Sequence, residues 1–376
     1  MNEEKVIIVG AGVAGLSLAI MLAQRNIESV VLESREHFDG PTSGVRISGE
    51  GVEILGFMNL EPIGAKTEKV NMRFGSISAN FSVHKSNSSA IIVTRQALHE
   101  QLMQRALSLG VRMVTNFRVS DVQESADGVQ VTSTANDTLR GNLLIGADGV
   151  GSTIRQILNS EQESTKMYAG YLGVGIIAAD EEMTEMTLHR YPGHEVGVAS
   201  CGRVNKAAKK NSVFLWTHIQ MPEDEARRAG KSSVEAELAA RAEQWRPELK
   251  TKYNLYVHDA ESILAFGPVY NGKPPTRWHS NRIILIGDAA HPYGPGGQGI
   301  SMALKDARAL CEIVEGGFSE KDRNEFQRMR AREARAAGEA AERRNAKAPL
   351  LSWWGILAEG TVMKALQIMA PKTLKF

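Results

Sequence analysis

The chain has 376 residues, 43% hydrophobic and 23% charged, a balance expected of a globular protein large enough for two joined domains. A formal net charge of +1 leaves no basic excess to neutralise phosphates, which argues against a nucleic-acid binder. The two cysteines, Cys201 and Cys311, lie in no Cys-x-x-Cys or Cys/His cluster. That excludes a disulfide framework and a zinc site of ordinary spacing, and it suits a reducing cytoplasm.

From the N-terminus, the apolar strand Val6 to Val9 runs directly into Gly10-Ala11-Gly12-Val13-Ala14-Gly15. A helix-like stretch follows, Leu16 to Arg25, then a second apolar strand, Ser29 to Leu32, ending in Glu33. Gly10 permits the tight turn, Gly12 lets the backbone approach a pyrophosphate, and Gly15 lets helix and strand pack closely. Glu33 lies where a carboxylate would hold ribose hydroxyls. With these glycines inside it and Glu3 and Glu4 before it, the run Val6 to Ala23 does not read as a signal peptide or membrane span.

Gly44-Val45-Arg46-Ile47 leads through Ser48-Gly49-Glu50-Gly51 into Val52 to Leu55. Residues 71–90 alternate and read as a hairpin. Val93-Thr94-Arg95 then opens a helix with Leu98, Leu102 and Ala106 at helical spacing. Residues 111–145 read as strands joined by the turn Ala126-Asp127-Gly128. They end in Leu143-Leu144-Ile145-Gly146-Ala147-Asp148-Gly149, with Ser152 and Arg155 beyond; Asp148 either serves a cofactor or caps the next helix.

From Tyr168 to Phe266 the pattern is β-rich, with one charged helix inserted from Pro222 to Trp245. Alternation on Val213 to Ile219 puts Phe214, Trp216 and His218 on one face. Two aromatics and an imidazole make a platform for a planar substrate, with His218 either a base for a phenol or a wet strand edge. His189 and Arg190 are lesser candidates. The apolar strand Arg282 to Ile286 then enters Gly287-Asp288-Ala289-Ala290-His291-Pro292-Tyr293-Gly294-Pro295-Gly296-Gly297-Gln298-Gly299. That turn aims N–H groups and the positive end of a helix dipole at an electron-rich ligand, while Asp288 accepts from a ribitol or ribose hydroxyl.

Residues 318–347 mix Arg, Lys and Glu with Ala and read as a solvated helix. The tail carries Trp353-Trp354 and further apolar residues at helical spacing, broken by Glu359 and Gly360. It either packs on the protein, roofing a cavity, or touches a membrane surface.

The three glycine motifs, in this order, resemble those of the group A single-component FAD-dependent monooxygenases typified by para-hydroxybenzoate hydroxylase. The resemblance covers roughly residues 5 to 345. The Gly44-to-Leu55 segment and the helical tail are similar to the tetracycline-inactivating and natural-product branch, whose secondary metabolites are often polycyclic. It implies an α/β, two-domain (α+β) fold: a Rossmann-like FAD-binding domain of the glutathione-reductase type, an inserted β-sheet substrate domain and C-terminal helices. The expected division is 1–70, 91–167 and 267–346 for the FAD domain, 71–90 and 168–266 for the substrate sheet, and 347–376 for an amphipathic tail.

The resemblance implies FAD as cofactor, NAD(P)H and O2 as co-substrates, and oxygen transfer from a flavin C4a-hydroperoxide to an aromatic or polycyclic small molecule. Gly10, Gly12, Ala14, Gly15 and Glu33 would hold the adenosine end, and Arg95 and Asp288 the middle. Asp148 belongs to the motif placed where flavin and nicotinamide sites cross. Gly44 and Arg46 would pass beside the isoalloxazine ring, with Arg46 binding a substrate, steering the flavin or pairing with Glu50. Gly297, Gln298 and Gly299 would stabilise charge on reduced flavin, and Pro295 would border the oxygen-transfer pocket.

Departures exist. The Pro295–Gly297 spacing is one residue short, no Trp-x-Trp-x-Ile-Pro segment marks a halogenase, and no thioredoxin-like C-terminal domain is expected. No metal is implied, and the oligomeric state is open. Two alternatives stand beside a monooxygenase: an FAD-dependent dehydrogenase or reductase without oxygen insertion, and a redox-inactive flavin-fold binding protein.

Overall fold

The computed structural model describes residues 4–37, 43–61, 64–67, 69–82, 90–160, 166–180, 183, 185–203, 210–259, 262–293, 297–347 and 353–369. Strand β1 (Glu4–Val9) leads through the glycine turn to helix α1 (Val13–Ala23) and β2 (Ser29–Leu32). Next come β3 (Gly44–Ile47), α2 (Gly49–Phe57), β4 (Ala65–Lys66) and the hairpin β5 (Lys69–Phe74) and β6 (Ile77–Ser82). Strand β7 (Ile91–Thr94) enters α3 (Arg95–Ser108), started by the Thr94 hydroxyl accepting from Ala97 N. Strands β8 (Arg112–Val114), β9 (Val119–Glu124), β10 (Val129–Ser133) and β11 (Thr138–Gly146) precede the short α4 (Thr153–Leu158).

The long β12 (Lys166–Ala179) is followed by β13 (Met186–Tyr191), β14 (His194–Gly202) and β15 (Ser212–Gln220). Helices α5 (Glu223–Arg228), α6 (Lys231–Ala242) and α7 (Pro247–His258) intervene before β16 (Ile263–Gly272). Finally β17 (Ile283–Leu285) passes through a 3-10 turn to α8 (Gly299–Glu315), α9 (Glu320–Lys347) and α10 (Trp353–Met369).

Three sheets result. One runs β8-β2-β1-β11-β10-β9, with β17 also on β11; its strands β8, β2, β1, β11 and β17 are parallel. Parallel strands are buried on both faces, which is why Val6-Ile7-Ile8 on β1 and Val30-Val31 on β2 are each unbroken apolar runs. The second sheet runs β16-β12-β15-β14-β13-β5-β6, and the third is the small β3-β7-β4. This is the mixed α/β fold expected.

Some expectations need correction. The single charged helix from Pro222 to Trp245 is broken near Gly230, which starts a new helix. A further helix, unforeseen in the β-rich stretch, begins with Pro247 in its first turn, where the missing N–H does no harm. Strand β5 starts at Lys69, β12 at Lys166 and β16 ends at Gly272, so the boundaries set at 70/71, 167/168 and 266/267 fall inside strands of the second sheet. Helices α5–α7 cover one face of that sheet, packing Val234, Leu238, Trp245 and Tyr253 on Val213, Leu215 and Ile219. The opposite face turns toward β3 and β7.

Candidate active site

At the first turn, Gly10 has φ +106°, and a Cβ there would sit 2.4 Å from Ala147 O. A Cβ at Gly15 would stand 2.0 Å from Gly10 O, so only glycine lets α1 start so close to β1. A Cβ on Gly12 would meet nothing within 4 Å, and no side chain caps α1. Thus the amino end of α1 opens on free space of the kind that suits an anion. Ala14 is buried and lies against Gly287 of the second turn.

Glu33 ends β2 beside this opening. Its Oε2 accepts from Ala11 N at 3.1 Å, and its Oε1 from Arg35 N at 3.0 Å. His99, unnoticed in the sequence, meets Ala11 O through Nε2 at 2.8 Å.

The second turn carries Asp288. Its carboxylate is open to solvent although protein surrounds it, the signature of a group lining a deep cleft. Burial pushes its pKa up, while His291, Arg95 and Arg155 pull against that. Gly297 has φ +72°, Gln298 stands at the N-cap position of α8 without a side-chain capping bond, and a Cβ on Gly299 would lie 3.8 Å from Asp288 Oδ1. Asp288, Arg95 and the start of α8 therefore converge on one cleft. Pro295, with its spacing to Gly297, lies outside the described residues.

The Asp-Gly motif is tied to this turn by Arg155, whose guanidinium donates to Asp288 O (3.1 Å), Ala289 O (3.0 Å) and Val150 O (2.5 Å). Asp148 takes the capping alternative: it accepts from Ser152 Oγ (2.5 Å), Thr153 N (2.7 Å) and Ile154 N (3.2 Å) at the start of α4. Burial pushes its pKa up against those hydrogen bonds.

Beneath the second turn is a buried network that the sequence reading missed. Asp306 on α8, wholly buried, accepts from Gly287 N (2.8 Å), His291 Nε2 (2.6 Å) and Arg330 Nε on α9 (2.6 Å). Burial would raise its pKa, but His291 and Arg330 outweigh that and the net direction is down. Burial pulls His291 down, and Asp306 and Asp288 more than reverse it, so its pKa is raised. Helix α9 is thus only partly the solvated helix expected, because Arg323 and Arg330 reach inward. The one available signal was His291, inside the glycine motif itself.

The open face of the second sheet carries Phe214, Trp216 and His218, all half-buried, as alternation requires. Glycines let these rings lie flat. A Cβ on Gly197 would touch the Trp216 ring at 2.0 Å, and one on Gly175 would touch Phe214 at 2.5 Å. Phe214 and Trp216 are 5.4 Å apart at 19°, and Tyr171 lies 5.2 Å from His218. Phe214 is also covered by Gly44 of β3, 2.3 Å from where a Cβ there would be, so it joins the sheets more than it lines a cavity.

Burial first, then the neighbouring His194, Arg241 and Arg190, pushes His218 down to about 4. It is neutral at pH 7 and too weakly basic to keep a phenol proton; it can accept a hydrogen bond. His189 shares the helix-covered side with Tyr191, stacked at 6.4 Å, whereas Arg190 faces α10 and pairs with Glu195 (3.2 Å). Arg46 is half-buried on β3, and the Glu50 carboxylate meets Lys305 at 2.5 Å.

The tail packs on the β5–β6 hairpin. Ile356 is fully buried beside Phe74, Phe81 and Leu188, and Trp216 and Met363 border the same cluster. Among the described residues no helix is long and apolar enough to cross a membrane, and no group of side chains is suited to a metal.

Residues 3–344 match the family model described as an FAD binding domain, and the chain belongs to that family. It is 27% identical over 331 residues to an FAD-dependent urate hydroxylase of Mycolicibacterium vanbaalenii, covering 81% of this chain and 78% of that protein. It is 26% identical over 343 residues to the FAD-dependent monooxygenase ausM of Penicillium brasilianum, covering 83% and 70%. Klebsiella pneumoniae HpxO, solved with FAD and uric acid, shares the fold at TM-score 0.81 and 22% identity, covering 96% of this chain and 93% of that one. The chain is an FAD-dependent monooxygenase, an oxidoreductase acting on a small molecule. The residues present suit FAD: the open amino end of α1 at Gly12 and the solvent-accessible Asp288 in its cleft are the features such a group needs.

Proposed function

We propose that the protein hydroxylates a planar, electron-rich aromatic or polycyclic molecule, using NAD(P)H and O2. The observation that carries this is the flat floor of Trp216 over Gly197, with His218 beside it, on the sheet face turned toward β3 and β7. A ring stacked there gains an aromatic contact of about 0.5–1.5 kcal/mol beyond its buried area. Urate, the substrate named for one relative, is itself planar.

When bound, FAD supplies the activation of dioxygen; one oxygen atom enters the substrate, the other leaves as water, and NAD(P)H provides the two electrons. The chain's own residues do the rest. Gly10, Gly12, Ala14, Gly15 and Glu33 would hold the adenosine end of FAD, and Arg95 and Asp288 its middle. The N–H groups of Gly297, Gln298 and Gly299 at the start of α8 would favour negative charge on the reduced flavin. Gly44 and Arg46 on β3 would border the bound flavin. Neutral His218 accepts a hydrogen bond from a substrate O–H or N–H and so orients the ring, while Trp216 excludes water from one side. Asp148 positions the α4 turn, through which Arg155 reaches the carbonyls of the Asp288 turn.

The alternatives without oxygen insertion or without redox chemistry lack comparable support, since the relatives are named as monooxygenases or a hydroxylase. Purified protein should be yellow, and a planar phenol or purine of fitting size should accelerate NAD(P)H oxidation. A colourless protein that cannot be reconstituted with FAD would overturn the proposal.

A further inference from the structure

Helix α10 has only two charged residues, Glu359 and Lys364, in its 17 positions. A helix apolar nearly all round is expected to be covered all round. This one is covered on one side. Ile356 and Gly360 face Phe74, and the Glu359 carboxylate turns inward to within 3.9 Å of Arg190. The other side shows Trp354 (82% exposed), Val362 (59%) and Ile368 (73%) to solvent. At the helical angle of about 100° per residue, Trp354, Ala358, Thr361, Ala365 and Ile368 form one stripe, widened by Val362 and Leu366.

We propose that this stripe docks on an anionic phospholipid surface, with α10 lying in the headgroup plane. Charge selects that occupant. Glu359 is the single acid from position 353 to 376, and it faces Arg190, so the exposed side bears none. Lys364 borders the stripe, and Lys372 and Lys375 follow it in sequence. A tryptophan with flanking lysines on an apolar helix suits the interface between headgroups and acyl chains. Area argues against a second copy of the chain. A stripe about 25 Å long and about 10 Å wide offers roughly 250 Å², against the ~800 Å² per partner of a stable protein interface. The helix lies on the lipid and does not cross it, in keeping with the absence of a spanning helix among the described residues.

The test uses the FAD-loaded full chain and sedimentation with phosphatidylcholine vesicles, with or without about one third phosphatidylglycerol. The protein should sediment with the anionic vesicles, and about 0.5 M salt should weaken that binding severalfold, because screening removes the lysine contribution. The double variant Trp354→Glu/Ile368→Glu should partition at least tenfold less, with flavin content, melting temperature and activity on soluble substrate unchanged. Two results would overturn the proposal: no sedimentation with anionic vesicles, or equal partition of the variant. A dimer by light scattering that the variant turns to monomer would likewise overturn it, assigning the face to a second copy.

Discussion

Removing Asp306 should loosen the FAD site without touching it. The carboxylate is fully buried and holds three donors: His291 Nε2 and Arg330 Nε at 2.6 Å, and Gly287 N at 2.8 Å. Asp306→Ala leaves the Arg330 guanidinium, 8% exposed, with Glu333 as its remaining acidic partner, and strands the Gly287 N–H. Breaking a buried ion pair from one side costs about 3–5 kcal/mol. Because Glu333 stays, the lower end, about 3 kcal/mol, is expected.

That is a large share of the roughly 5–15 kcal/mol that holds a native protein together. Denaturant unfolding of FAD-free protein would read it, and FAD affinity should fall as well, since Gly287 starts the turn bearing Asp288. A pH signature separates this from a simple cavity. The raised His291 pKa gives stability that is fully present below the ordinary imidazole value of 6.5 and is lost as pH rises through the elevated folded value. The lowered Asp306 pKa gives stability present above 3.8 and lost as pH falls through the depressed value. Asp306→Ala should flatten both slopes. A loss below about 1 kcal/mol, under the range for a broken buried pair, with both slopes intact would refute the reasoning.

The other expectations concern the site itself. Asp288→Ala should weaken FAD about ten- to a hundredfold, the scale of one charge-assisted hydrogen bond of ~1.5–3 kcal/mol, with the fold preserved; flavin fluorescence titration measures it. Gly15→Ala places a methyl 2.0 Å from Gly10 O and should yield protein that is unstable or cannot be reconstituted, seen in its melting curve and flavin content. Trp216→Ala should leave FAD binding unchanged, weaken substrate about tenfold and divert reducing equivalents to H2O2, because a loose ring is poorly placed for reaction. Peroxide and product assayed together test that, and loss of FAD in this variant would make Trp216 part of the core instead.

The dinucleotide unit was legible because its constraints are local. Gly10, Gly12, Gly15 and Glu33 each answer a backbone or hydrogen-bond demand within about thirty residues, a spacing the chain itself displays. The face shared by Phe214, Trp216 and His218 was equally readable, since strand alternation is a property of the backbone. What stayed hidden depends on distance and environment. Asp306 and Arg330 meet across two helices, and nothing in the charged stretch 318–347 marks which arginine turns inward. The depressed His218 pKa arises from burial and from His194, Arg241 and Arg190 on other elements. The helix break at Gly230 is hidden inside one charged run, and the helix from Pro247 lies in a stretch whose surroundings alternate as strands do.

The most direct measurement is the source of the oxygen in the product. With the FAD-loaded protein, NAD(P)H and a planar substrate that accelerates its oxidation, the reaction is run under isotopically labelled O2 and the product is weighed by mass spectrometry. One labelled oxygen atom per product molecule is expected, with none acquired when labelled water replaces labelled O2. A product oxidised without gaining an oxygen atom, or one whose oxygen comes from water, would contradict a monooxygenase built on this cleft.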